Sequence, residues 1–506
     1  MISLSLNIQT LVVSVCVGLL VYYVIKRIRY RLPPGPWCIP IIGNYQIYSA
    51  PGLHRKVAEL SKTYGPVVRL SAGPSAWVFL NNNEVVLEAL VKRNTDFAGR
   101  TPFPSGEMFT DGGKDIALST FTPTWRFHRK VAGKALRHYL QGDLLENMIQ
   151  DNMTKFLDKM AKERGPFEFN NYANLIVFSQ LYTICFGEKK SPDDPEVKSL
   201  LKLDEELVET WGVGVFMLFE DVFPYLKDIF PSKTWRKLTK ITEDLFKVIR
   251  AKFYEHKATF QSGVNRDFTD SLLTARQEAE NEGDEETLEK LDDTYLIQTI
   301  MDIFLAGTET TRFTLDWFIN FMSGIPEFQS KCQEEIDRVV GSDRISMKHR
   351  NALDFTEACL FETWRRASLV ALGIPHATMC DTKVGGYDIP KGTAVFINIW
   401  ALHNDPKYWK DPEKFDPYRF LDQNGKLKAT KPESWLPFSA GRRVCLGETL
   451  AKPDILLMCA NLLQRFEIRL PPGVKPQLGG RVLSDGIDIP VDYKIVVKER
   501  QKEIKI

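Results

Sequence analysis

The run Pro437-Phe438-Ser439-Ala440-Gly441-Arg442-Arg443-Val444-Cys445-Leu446-Gly447-Glu448 sets a cysteine between glycines at −4 and +2, with arginine at −2. A tight, electropositive turn of this kind lowers a thiol's pKa and favours thiolate, the form that binds metal. Gly447 frees the backbone to aim amide N–H groups at the sulfur, which tunes a metal thiolate. Taken without company, a buried turn thiol is the plainer reading. A second grouping, Leu305-Ala306-Gly307-Thr308-Glu309-Thr310-Thr311, places an acid beside an alcohol in an otherwise apolar stretch. Glycine costs about 1 kcal/mol in a helix interior, and threonine hydroxyls compete for its carbonyls, so this composition needs a purpose. A third, Glu362-x-x-Arg365, is on its own an (i, i+3) helix pair worth about 0.2–0.5 kcal/mol.

These groups need elements to hold them. Asp292-Asp293-Thr294 offers N-cap chemistry to an apolar-periodic stretch that runs to Ser323, ahead of Gly324 and Pro326. That predicts a helix of roughly 31 residues, about 46 Å long, with the acid–alcohol pair at its centre. Strand patterns occur at 66–70, 76–80, 394–398 and 493–497, and helical periods dominate elsewhere. The expected fold is mainly α with small β-sheets (α+β). Glu278 to Asp293 carries nine acidic residues and one lysine, and reads as a solvated surface connection. No glycine-rich nucleotide fingerprint stands out, so any electrons would have to come from elsewhere.

Of the 506 residues, 66 are Lys or Arg and 65 Asp or Glu, a net charge of +1. The balance argues against a nucleic-acid partner, and 44% hydrophobic content against disorder. Eight cysteines without a CxxC argue against a disulfide framework or structural zinc. From Met1 through Ile25 no side chain is charged, and Lys26, Arg27, Arg29 and Arg31 follow at once. Residues 1–25 are therefore expected to form a single-pass anchor, with the basic end cytosolic. Residues 26–45 carry the basic stop and the hinge Leu32-Pro33-Pro34-Gly35-Pro36-Trp37, and 46–506 the catalytic domain.

Phe438-x-x-Gly441-x-Arg443-x-Cys445-x-Gly447 resembles the haem-binding loop of the cytochromes P450, and the likeness extends over almost the whole chain. It implies the P450 fold, haem b as cofactor, and Cys445 as the axial thiolate of the haem iron. Phe438 is then expected beside the sulfur, and Gly447 in the loop's amide turn. Trp125, Arg129, His376 and Arg443 are expected at the haem propionates. Ala306 with Gly307 matches the oxygen-activation motif, in which Glu309 and Thr310 relay protons. Glu362 and Arg365 match the Glu-x-x-Arg motif, which with Arg419 supports the haem-side loop. His128, Lys130, Lys134, Arg137 and His138 are expected to form a basic face for an acidic redox partner. Pro453 is expected to kink the helix after the loop, and Arg366 to face solvent or a local acid.

The resemblance further implies a microsomal animal-type monooxygenase in the endoplasmic reticulum membrane, served by NADPH–cytochrome P450 reductase, with cytochrome b5 as a second donor. Ile374 to Thr378, Val384 to Gly392 and Ile397 to His403 look like the clan of steroid 17-hydroxylase and the aryl-hydrocarbon and drug-metabolising hydroxylases. The substrate is expected to be lipophilic, a steroid first, with xenobiotic, fatty-acid or terpenoid hydroxylation as the alternative. Its pocket would draw on Phe103 to Phe121, Trp211 to Phe219, Ile303 to Ala306, Leu369 to Ile374 and Ser484 to Ile487. An O2-independent haem isomerase or dehydratase ranks lower, because Glu309-Thr310 is intact.

Overall fold

The computed structural model describes residues 10–11, 13–14, 17–18, 29–39, 42–48, 51–73, 75–138, 144–191, 193–211, 218–484 and 487–500. Among these, no helix is long and apolar enough to cross a membrane. Most of the expected anchor, and Asp485 of the expected pocket, lie outside the described residues.

Alternating β-branched and aromatic residues build β1 (Val67–Ala72) and β2 (Ser75–Leu80), which pair antiparallel. A four-stranded sheet results, in the order β1, β2, β6 (Ala394–Ile397), β3 (His376–Ala377), with β2 and β6 parallel. The smaller pairs are β4 (Thr382–Val384) with β5 (Tyr387–Ile389), β8 (Gly480–Ser484) with β9 (Ile487–Pro490), and β7 (Phe466–Arg469) with β10 (Val496–Glu499). The last strand begins three residues later than its apolar pattern predicts, because β7 supplies partners only for Val496 to Glu499.

The site is carried by helices α1 (Pro123–His138), α2 (Phe169–Phe186), α3 (Pro195–Trp211), α4 (Phe268–Glu282), α5 (Glu285–Lys290), α6 (Asp293–Gly324), α7 (Asp354–Ala367) and α8 (Glu448–Arg465). The predicted long helix is α6, and Asp292 caps it by accepting from the Tyr295 amide at 2.8 Å. Buried on most faces between Leu296 and Ser323, α6 packs on α2, α7 and α8. A Cβ on Gly307 would stand 2.4 Å from Leu181 Cδ1, so glycine is what lets α2 approach α6 this closely.

The acidic stretch is mostly exposed, as expected, and largely helical, α4 and α5, and Asp293 at its end accepts from Lys257 and Arg276. The helix α8 continues through Pro453, its sixth residue. The expectation for Arg366 needs correction. Arg366 is half-buried and donates to the Pro412 carbonyl at 3.4 Å, with burial pushing its guanidinium down to about 10.

Candidate functional site

Cys445 sits in a loop held without help from its sulfur. Its amide donates to the Phe438 carbonyl at 2.9 Å, while the Phe438 ring packs edge-on to Trp364, 5.0 Å away. Gly441 has φ +72°, and a Cβ there would sit 1.9 Å from the Leu90 carbonyl oxygen. Both the left-handed backbone and the contact forbid a side chain. Gly441→Ala is expected to cost at least about 2 kcal/mol and to weaken haem retention, both readable in a urea titration followed at the Soret band. The amides of Gly447 and Glu448 point at the sulfur, as expected, although Gly447 has an ordinary helical backbone, φ −81°. Burial nevertheless pushes the free thiol up. It outweighs those amides and Arg129, so the lowered pKa expected from the sequence is not found in the free thiol. Metal binding would displace that proton.

Cations gather beside the loop. Arg443 donates to the carbonyls of Ala98 (2.7 Å), Ile116 (3.4 Å) and Ser119 (2.6 Å), and its guanidinium lies 3.9 Å from the centroid of the Trp125 ring. Trp125 Nε1 donates to the Ile116 carbonyl at 2.8 Å. Arg129 donates to the Val444 carbonyl, next to the cysteine. Arg100, which carries no sequence motif, donates to the carbonyls of Ala117, Ile374 and Pro375. Burial, reinforced by the neighbouring arginines, pushes Arg100 down to about 9 and Arg443 to about 8. His376 shares a 2.7 Å hydrogen bond from Nδ1 with the Phe97 carbonyl. Burial, then Arg100 and Arg443, hold its ring neutral.

Asp115 is the carboxylate that faces Arg100 and Arg443, and burial pushes its own carboxyl up. Three cations and a histidine thus share at most one counter-charge, a deficit that two further carboxylates would fill. Within α6, Ala306 is exposed in the middle of a buried helix, and Ile303, Gly307 and Thr310 on the same stripe are half-exposed. A thiol with two amides on it and a group of desolvated cations fit an iron macrocycle bearing two acidic groups.

The expected acid–alcohol pair is split. The Thr310 hydroxyl donates to the Ala306 carbonyl at 2.7 Å along the cavity stripe. Glu309, 2% exposed, turns toward α3, with Arg312 Nη2 3.0 Å away and Asp204 beside it. Arg312 lies three residues beyond Glu309, a spacing that could have flagged it, whereas nothing local marks Asp204.

The supporting network is as expected, and larger. Arg365 grips Glu362 through two 2.7 Å hydrogen bonds, both residues being fully buried. Arg419 Nε stands 3.5 Å from Glu362, which also accepts from the Asp416 amide. Arg365 donates to the His403 carbonyl, and His403 Nε2 in turn accepts from the Leu436 amide at the root of the cysteine loop. Burial holds His403 at about 3, neutral and able to accept. His403 is the link between motif and loop that local spacing does not reveal.

On the outer side, α1 packs behind the loop, with Leu446 3.3 Å from where a Gly133 Cβ would stand. Arg126, Lys130, Lys134 and Arg137 form an exposed stripe along it. His128 does not join that stripe. It is buried, stacks on Tyr295 with centroids 4.3 Å apart, and is pushed down to about 4 by burial.

Among pocket segments, Val370 bridges to Ile487, and Phe103 and Phe109 pack on Trp211. Residues 212–217 lie outside the described residues.

The cytochrome P450 family profile matches residues 33–480. A steroid 17-alpha-hydroxylase/17,20 lyase of Squalus acanthias is 35% identical over 481 residues, covering 93% of this chain and 92% of that protein. Cytochrome P450 2J5 of Mus musculus is 33% identical, covering 97% and 96%, and cytochrome P450 1A1 of Chelon auratus 32%, covering 99% and 96%. The chain belongs to the cytochrome P450 family and is a monooxygenase of that family.

Proposed function

We propose that this chain uses haem b, O2 and electrons from NADPH–cytochrome P450 reductase to hydroxylate a steroid at the endoplasmic reticulum membrane. The observation that carries the haem reading is a Cys445 sulfur at which the Gly447 and Glu448 amides aim, with Arg129 on the adjoining Val444 carbonyl and the buried Arg443 two residues before it. Haem, when bound, supplies the iron at which O2 is activated, with the thiolate donating electron density. Arg100, Arg129 and Arg443 would hold its acidic edge, and a carboxylate arriving there would also let His376 take a second proton. Thr310 presents a hydroxyl at the cavity, and the buried apolar stripe of α6 keeps bulk water out.

The exposed cations of α1 and Arg442 suit an acidic electron donor, reductase or cytochrome b5, on the cysteine side. Exposed apolar residues support a membrane seat: Trp37, Phe219, Tyr225, Ile229 and Phe230 are each more than half exposed. The turn at Gly73 joins their two segments, since its amide donates to the Ile42 carbonyl and its Cα faces Val222. The charge-free residues 1–25 would complete the attachment.

The steroid reading rests on the printed activity of the 17-alpha-hydroxylase relatives at 35% identity. Titrating the purified ferric protein with progesterone and pregnenolone is expected to give a saturable blue shift of the Soret band. Product analysis would then begin with steroids. No shift, in a protein with a normal thiolate-type carbon monoxide spectrum, would overturn the steroid and turn the search to xenobiotics, fatty acids and terpenoids.

A further inference from the structure

His256 stands in the last turn of the helix Lys233–Ala258, and Asp267 caps the next helix, α4, with Asp270 in its first turn. One imidazole nitrogen and one oxygen from each carboxyl lie within 4.8 Å of one another. His256 Nε2 is 2.9 Å from Asp267 Oδ2 and 2.9 Å from Asp270 Oδ1. Both aspartate side chains are fully buried, and that of His256 is 9% exposed. Asp267 Oδ1 accepts from the Asp270 amide at 2.9 Å, whereas Oδ2 receives no hydrogen bond from a described group. Gly187, which ends α2 with φ +68°, packs directly on that oxygen, since a Cβ there would stand 2.6 Å from it. Asp267 Oδ2 is therefore a buried carboxylate oxygen held against a histidine nitrogen.

Arg266 makes this arrangement inconsistent for either placement of the ring proton. Its Nε donates to Asp270 Oδ2 at 2.6 Å and its Nη2 to Asp270 Oδ1 at 2.9 Å, and Nη2 also lies 3.0 Å from His256 Nε2. With a proton on Nε2, the ring meets both carboxylates but turns its N–H on a guanidinium N–H. Without that proton, the ring can accept from Arg266, and its lone pair then faces two carboxylate oxygens. A divalent ion on Nε2 would satisfy the nitrogen and both oxygens together. Bonds of about 2.0–2.2 Å from such an ion set neighbouring ligand atoms about 2.9–3.5 Å apart, which matches both His256 contacts.

We propose that His256, Asp267 and Asp270 form a site for a divalent transition-metal ion of the zinc class, with Arg266 as the internal cation that competes for it. Imidazole nitrogen with carboxylate oxygen suits zinc, while magnesium prefers oxygen ligands alone and keeps its waters. On binding, Nε2 gives its proton to solvent, the ion takes Nε2, Asp267 Oδ2 and Asp270 Oδ1, and water completes the shell. Arg266, with 37% of its side chain exposed, swings outward. The Arg266 amide, 3.0 Å from Asp270 Oδ2, still places that carboxyl. The ion would clip the end of one helix to the start of the next. None of these residues belongs to the cysteine loop or its cation group, so the inference stands apart from the substrate reading.

The test uses the full-length, haem-loaded protein without an affinity tag, titrated with Zn2+ against a chromogenic chelator. One equivalent is expected to bind per chain and to raise the thermal midpoint. Asp267→Asn keeps the helix cap but loses the charge, and His256→Gln removes the nitrogen. Each is expected to weaken binding by more than about 100-fold. Arg266→Gln is expected to tighten it about 10-fold, because the competing cation is gone. Zinc-edge X-ray absorption should show nitrogen and oxygen neighbours at about 2.0–2.2 Å and no sulfur, which excludes the cysteines as the binders. Mg2+ at the same concentration should leave the midpoint where it was. Binding that survives both Asp267→Asn and His256→Gln, or sulfur in the shell, would overturn the proposal. So would an equivalent that Mg2+ displaces as readily as Zn2+ does, or no saturable binding at all. An affinity unchanged or weakened in Arg266→Gln would also overturn it, since Arg266 would then not compete. Should His256→Gln not fold, Asp267→Asn and Arg266→Gln decide it.

Discussion

Cys445→Ser is expected to abolish monooxygenation while leaving the protein folded. The loop around this residue is held by backbone and arginine contacts that the substitution leaves intact. The Cys445 amide still donates to Phe438, Arg443 still spans three carbonyls, and Gly441 still seats against Leu90. What disappears is the one atom at which the Gly447 and Glu448 amides aim. Serine oxygen is harder, reaches less far and keeps its proton at neutral pH, so it neither anchors the iron nor donates the electron density of a thiolate. Removing a metal's outer partners costs about 10–100-fold, and removing the ligand should cost more than that. The reduced carbon monoxide spectrum should lose its thiolate-type band, with turnover below detection in the reductase-driven assay. A retained band, or appreciable product, would show that the haem iron is held elsewhere.

Arg365→Ala is expected to cost about 3–5 kcal/mol, the range for breaking a buried ion pair from one side. Glu362 is fully buried, and without Arg365 it keeps only Arg419 at 3.5 Å and the Asp416 amide. The same substitution frees the carbonyls of His403 and Lys414. Loosening His403 releases the Leu436 amide, and with it the approach to Cys445. Loss of stability and loss of haem should therefore appear together, as a lower urea midpoint and a Soret band that fades ahead of global unfolding. Arg365→Lys should rescue little, because an ammonium cannot reproduce the two parallel bonds to Glu362. Removing both charges should cost less than the sum of the single changes. A midpoint unchanged by Arg365→Ala would mean that Glu362 is adequately held without it.

Much of the site was legible because its information is local. The cysteine loop, the Glu-x-x-Arg pair and the capped start of α6 are each set by spacing within a few residues, and the structure keeps them at those spacings. The reading erred where a side chain has two faces available. His128 has the composition of the basic stripe, but α1 turns it inward onto Tyr295. Arg366 looks solvent-facing after Arg365, yet the segment around Pro412 covers it. The acidic stretch looked like loop because its charge density masks short helices, which packing and ion pairs on Asp293 hold in place.

The sequence by itself determined the cysteine loop, the long helix α6 and the family, because loop spacing, caps and helical period are properties of neighbours along the chain. Only the tertiary structure decided which charges are desolvated together. Arg100 reaches the carbonyls of Ile374 and Pro375, His403 reaches Leu436, and Asp204 reaches Glu309 across about a hundred residues of chain, a separation at which no local pattern operates. A titratable group's behaviour depends on its burial and on the charges within a few ångströms, and both are set by how helices stack. The same chain order that makes Glu309 and Thr310 neighbours sends their side chains to different faces of α6, so the acid pairs with Arg312 while the alcohol bonds back to the Ala306 carbonyl.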